Sequence, residues 1–178
     1  TLKIESSLNI TNLRNINVGR HVAGNANGNR GGTLDLTGAA SITSELGADS
    51  LRAAGTVAVG ANSGSPGRTV MGRFLLPATL ENFDVNALTV GYERYGNGTL
   101  DFGSGSNLTN FFCRGDLILA YDAPGQILNL PTNMVFKVGQ AGSPANLRVA
   151  QQQYWGAFTT GSLVVAKSSF IGYLNNVY

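Results

Sequence analysis

Short runs of alternating apolar and polar residues, joined by glycine-rich polar connections, dominate the chain. The clearest example is 86–109, NALTVGYERYGNGTLDFGSGSNLT. Leu88 and Val90 alternate up to Gly91, a polar connection follows, and Leu100 and Phe102 alternate before the chain leaves through Gly103-Ser104-Gly105. Period-two alternation marks a half-buried strand, so such a unit predicts two short strands and two turns. The plan recurs on both sides. Leu2-Lys3-Ile4 reads as a second run with Leu8-Asn9-Ile10 as its tail, and Ile16 to Gly19 pairs with Gly32 to Leu36 across 21–31. Val57 to Gly60 pairs with Phe74 to Pro77 across 62–68, and Leu117 to Ala120 with Ile127 to Pro131 across 122–125. After that the register blurs, since Phe136 to Gly139 and Leu147 to Val149 both qualify as the next anchor; Gly161 to Val165 again looks like a second half.

Val18, Val59, Val90 and Leu119 follow one another at steps of 41, 31 and 29 residues. Periods of this size signal stacked repeats. No window carries apolar residues at helical spacing over three turns, so the reading is an all-β chain: a parallel β-helix, or β-solenoid, of about six coils at the ordinary strand spacing of roughly 4.8 Å. Val18, Val59, Val90 and Leu119 would form one internal ladder; Leu34, Phe74, Leu100 and Leu128 or Leu130 a second. Thr33, Asp35, Thr99 and Asp101 would point outward, and corner glycines would supply positive φ. An antiparallel β-sandwich is the alternative, because short strands with turn signals also permit it. Either way 1–178 reads as a single domain that begins and ends in mid-repeat.

Composition sharpens this picture in three ways. Only 12% of the residues are charged, so Asn, Ser, Thr and Gly carry the solubility, which suits an extracellular or cell-surface β protein. The formal charge is +2 and the arginines are scattered rather than clustered, which argues against nucleic acid as a partner. Cys113 is the single cysteine, so no intrachain disulfide can form; a buried small hydrophobe beside Phe111 and Phe112 is expected. No apolar run approaches the roughly 20 residues of a membrane helix, and TLKIESSLNI lacks the basic-then-apolar order of a signal peptide.

Candidate chemistry is thin. His21, the sole histidine, reads as a solvated loop residue, and no serine stands in a nucleophile elbow. Asp35 and Asp101 occupy equivalent outward positions, but Leu75 and Asn129 hold the matching places, so solvated strand aspartates are expected rather than an acid and base pair. Gly96-Asn97-Gly98 and 28–32 are turns, not phosphate loops. Tyr92, Tyr95, Tyr154 and Trp155 lie in or beside connections and could stack on sugars. Arg114-Gly115-Asp116 spells a cell-attachment tripeptide but fits the turn before Leu117. Asn9, Asn97 and Asn107 match the glycosylation acceptor, Asn97 at a turn being the best placed. No cofactor and no metal site is expected.

The segments LTVGYERYGNGTLDFGSGSNLT (88–109) and GDLILAYDAPGQILNLP (115–131) resemble the β-helical repeats of autotransporter passenger domains and related bacterial surface proteins. The likeness covers roughly 13–150. The resemblance implies secretion, a right-handed β-helix and a role in display, adhesion or scaffolding; it brings no catalytic residues. Ala120, where a glycine is expected, and uneven unit lengths depart from the pattern.

The function expected is therefore a non-enzymatic extracellular structural protein whose coil ends template self-association into a fibre, sheath or surface layer. Leu2, Ile4, Val165, Phe170, Tyr173 and Tyr178 would lie near the junction. A glycan-binding adhesin module and a polysaccharide-degrading β-helix enzyme are the alternatives. Insertion into a membrane is not expected.

Overall fold

In a computed structural model of the chain, residues 1–21, 30–62, 69–93, 95–152, 160–164 and 169–178 are described. Among them there is no helix; the chain is all-β and its sheets are almost wholly parallel. The first sheet runs Leu2–Lys3, Arg30–Asp35, Val70–Leu75, Gly96–Asp101, Gly125–Leu128, every neighbour parallel. The second has nine strands and is organised by two long ones, Ser50–Asn62 and Asn82–Tyr92. The first half of Asn82–Tyr92 pairs with Asn110–Cys113, which leads on to Val135–Val138 and Ser169–Gly172. Its second half lies between Ser50–Asn62, with Ile16–His21 beyond, and the series Leu117–Tyr121, Ala145–Val149, Leu174–Val177. A small third sheet joins Leu8–Asn9 in parallel to Ile42–Ser44, which closes an antiparallel hairpin with Gly47–Ala48. That hairpin and one isolated bridge, Gln140 with Ser143, are the antiparallel pairings among the described residues, so the sandwich alternative does not hold.

The ladder Val18, Val59, Val90, Leu119 forms as the alternation dictates: each is the register partner of the next, and Val149 extends it. The second ladder is Leu2, Leu34, Phe74, Leu100 and Ile127. Ile127, not Leu128 or Leu130, is therefore the last member; Leu128 faces outward opposite Asp101, where the sequence pattern had placed Asn129. One residue of slip turns every side chain to the opposite face. The ambiguity after residue 131 resolves because both runs are strands of the second sheet: Val135–Val138 continues Asn110–Cys113, and Leu147 pairs with Leu117.

A third column, not legible in the sequence, stacks Leu51, Phe83, Phe111, Phe136 and Phe170 in register. Ring centroids lie 5.3 Å apart for Phe83 and Phe111 and 4.5 Å for Phe111 and Phe136. Phe83, Phe111 and Phe136 are fully buried, and each such ring contributes roughly 1.5–3 kcal/mol through burial alone.

Between the two large sheets the chain turns through left-handed backbone. Gly19, Gly60, Gly91, Ala120 and Ala150 have φ of 57, 62, 70, 58 and 53°, and each directly follows a member of the valine ladder. Glycine is favoured because a Cβ on Gly91 would stand 2.1 Å from the carbonyl oxygen of Pro124, and one on Gly60 2.0 Å from that of Asn97. Ala120 adopts the same conformation as the glycines it replaces. Its methyl is accommodated because Gly161 faces it; a Cβ on Gly161 would come within 2.6 Å of that methyl.

Candidate functional site

The outer polar groups are mostly committed to turns and to neighbouring strands. Asp35 accepts hydrogen bonds from the Thr37 amide and hydroxyl at 3.0 and 2.7 Å, which hold its carboxyl below the usual range. Asp101 accepts from the Gly103 amide at 2.9 Å and from the Asn129 side chain at 2.6 Å. Both aspartates therefore cap turns. Thr99 is buried rather than solvated, because the Gln126 amide reaches across to its hydroxyl at 3.1 Å. His21 is also buried, at the end of a strand, with Nδ1 3.2 Å from Asn62 Oδ1; the expectation of a solvated loop histidine fails because the left-handed Gly19 shifts the alternation by one residue, leaving Arg20 exposed and turning His21 inward.

The tripeptide at 114–116 is likewise used internally. Arg114 grips buried Asp84 with both Nε and Nη2, the Nε contact being 2.7 Å, and that bond raises the guanidinium pKa further. Asp116 accepts from the Asn146 backbone at 2.7 Å and from its side chain, and Asn146 in turn accepts from Asn176 at 3.0 Å, a polar ladder with a separation of 30 residues at each step. Cys113 is buried as expected, and burial pushes its thiol up to about 12. Among the described residues no group of three or more His, Cys, Asp or Glu could hold a metal ion, and no helix is long and apolar enough to cross a membrane.

Of the four proposed sugar-stacking residues, Tyr154 and Trp155 lie outside the described residues. Tyr92 and Tyr95 do not form one platform. Tyr95 is 49% exposed at the turn between the two large sheets, whereas Tyr92 ends its strand and stacks on Tyr121 at 5.2 Å. The connection between the two strands is thus only 93–95, and Asn97 lies within a strand, half-buried and paired with Met71, rather than at a turn. Asn9 and Asn107 are exposed.

The proposed junction residues divide similarly. Leu2 (59%), Phe170 (45%), Tyr173 and Tyr178 are exposed, and Ile4 is half-buried against the core; Val165 lies outside the described residues. Tyr178 covers the Arg148 guanidinium at 4.9 Å, and Lys137 sits 5.4 Å over Tyr173.

Two grooves open on the outer faces. One, of about 470 Å³ beside the first sheet, is lined by Asn97, Gln126, Thr160 and Ser162 among others. The second, of about 320 Å³, crosses the outer face of the second sheet; Arg20, Ala61, Thr89, Tyr92 and Ile118 line it with Asn15. Sequence reading singled out Tyr92 but missed Arg20, Ala61 and Tyr121. The signal was present: each is the residue directly after a left-handed corner, as Tyr92 is. No protein-family model matches the chain, and no curated protein and no solved structure matches it.

Proposed function

We propose that the protein is a non-enzymatic, extracellular structural subunit: a right-handed parallel β-solenoid whose end rungs stack on those of further copies to build a fibre, sheath or surface layer. The observation that carries this reading is the contrast along single columns of side chains. Phe83, Phe111 and Phe136 are fully buried, while Phe170, the next member of the same stack at 5.8 Å, is 45% exposed. Likewise Leu88 and Leu117 are fully buried, Leu147 is nearly so, and their register successor Val177 is 66% exposed. Ser169–Gly172 and Leu174–Val177 thus carry exposed apolar members of otherwise buried columns, and exposed strands of this kind add further strands most readily. Leu2 is likewise the exposed first member of the first-sheet ladder.

The engagement of Asp35 and Asp101 in turn capping supports a non-enzymatic role, since neither carboxylate is left poised over an open groove. The surface location rests on the low charge and on the resemblance of the sequence to passenger-domain repeats. Sedimentation and negative-stain microscopy of the purified chain test the reading. Rods that lengthen with concentration, and that Phe170→Asp and Val177→Asp abolish without unfolding the monomer, are expected. A monomer that persists at tens of micromolar would overturn it.

A further inference from the structure

Beside the left-handed corner at Gly139, two cations line one small cavity of about 70 Å³ in the second sheet. Of its lining residues Cys113 and Gly139 are buried, whereas Phe112, Arg114, Lys137 and Gln140 are half-exposed, so the cavity opens to solvent. Each polar group arrives on a different segment and is held in place. Arg114 commits Nε and Nη2 to the buried carboxylate of Asp84, which leaves Nη1 to donate elsewhere. Lys137 is the register partner of Phe112, and its ammonium sits 5.9 Å from the centre of that ring and 5.4 Å from that of Tyr173. Gln140 is pinned by paired backbone hydrogen bonds with Ser143 at 3.2 and 3.0 Å. The charges here do not balance. Asp84 offsets Arg114, but none of the ion pairs among the described residues includes Lys137. Asp116, the next acid along the chain, is taken up by the backbone and side chain of Asn146. The rings beside Lys137 displace part of its water without supplying a counter-charge, so an entering anion meets a partly dehydrated cation.

We propose that this cavity binds a tetrahedral oxyanion: a sulfate or phosphate, as the free ion or as a monoester on a carbohydrate. Its size admits one compact group and not a sugar ring, since pockets for whole ligands start at roughly 300 Å³. The backbone amides around it are already used, that of Gly139 by the Cys113 carbonyl at 2.8 Å and that of Arg114 by the Val85 carbonyl at 2.9 Å, so recognition falls to side chains. Arg114 Nη1, the Lys137 ammonium and the Gln140 side-chain amide are the donors. Three donors from three separate segments suit an anion with oxygens on several sides; a planar carboxylate is matched best by the paired edge of a guanidinium, and Asp84 already holds that of Nε and Nη2. End-to-end stacking plays no part in this site, whose donors are side chains of one copy.

Equilibrium dialysis of the purified chain against radiolabelled sulfate and radiolabelled phosphate tests this, and it reads monomers and assemblies alike. Saturable uptake of one ion per chain, half-complete below roughly 1 mM, is expected for at least one of the two. Lys137→Gln should weaken uptake by roughly tenfold or more, and Gln140→Glu, which sets a carboxylate beside the cations, should abolish it, both with unchanged circular dichroism. Arg73→Gln, which removes an exposed charge from the first sheet, should leave uptake as it is. Competition separates the two sources. Displacement by glucose 6-sulfate or glucose 6-phosphate at lower concentration than by the free ions assigns the site to a decorated carbohydrate, and the reverse order assigns it to the free ion; either order supports the site. No saturable uptake, uptake unchanged in Lys137→Gln, equal losses in Lys137→Gln and Arg73→Gln, or displacement by acetate as effective as by sulfate would each overturn the proposal.

Discussion

Gly91 shows how narrowly single positions are determined. Its φ of +70° disfavours any side chain, and a Cβ there would stand 2.1 Å from a carbonyl oxygen that belongs to a neighbouring strand connection. Strain and overlap therefore act together, and Gly91→Ala should lower stability in urea by more than about 2 kcal/mol. Ala120 sets the contrast: in the same conformation, its methyl finds room because the facing residue is Gly161. Glu93, next to the same corner, carries a different burden. Burial, and then the nearby carboxylate of Asp122, raise its pKa in the fold. A carboxyl whose folded pKa lies above its unfolded value costs stability once ionised, and the cost disappears as pH falls through the folded value toward 4.5. Glu93→Gln should therefore raise the melting temperature at pH 7 and leave it nearly unchanged at pH 4. An equal effect at both pH values would show that charge is not the cause.

At the scale of elements, the phenylalanine column separates interior from edge. Phe136→Ala opens a cavity between two rings and should cost about 3–5 kcal/mol. Phe170→Ala, at a half-exposed place, should cost less than about 1 kcal/mol in dilute monomer and, if copies stack as proposed, show its main effect on association. Denaturant titrations of the two variants at low and high protein concentration separate these effects. The column also marks the boundary of what sequence patterns disclose. The valine ladder was legible because period-two alternation ends each time at a small residue, so register and face were fixed together. The strands at 50–53, 82–85 and 110–113 were not, and the run at 136–139 was legible only as a rival to 147–149. Residues 82–92 form one continuous strand, with no glycine or proline between Val85 and Ala87 to announce a corner. The column at Arg20, Ala61, Tyr92 and Tyr121 stayed hidden for a related reason: its members share a place relative to the corner and not a chemistry. Leu128 misled because two leucines flank Asn129, and alternation alone is indifferent to a shift of the whole run by one residue.

For the whole molecule, nearly every pairing joins residues far apart in sequence, at separations such as 27, 28, 30 and 41. Loops of that length must close before their contacts stabilise anything, so refolding should be slow, on the order of milliseconds to seconds. Cohesion in a stack is between neighbours, and protection should grade from the ends inward. Hydrogen exchange should therefore be fastest at Leu2 to Ile10 and Ser169 to Val177, and slowest at Leu88 to Val90, Leu100 and Leu117 to Leu119. If copies join end to end, the outer amides should slow with rising concentration while the central ones stay constant. Uniform protection along the chain would contradict both expectations.

The single thiol lies near the middle of this gradient. Cys113 is fully buried, in register with Val85 and Val138, and its pKa of about 12 leaves almost no thiolate at neutral pH. The chain thus carries a native clock for its own rupture. Alkylation of Cys113 can proceed only when the central strands part, so its rate under native conditions reads how often the middle opens, without any introduced label and undisturbed by fraying at the ends.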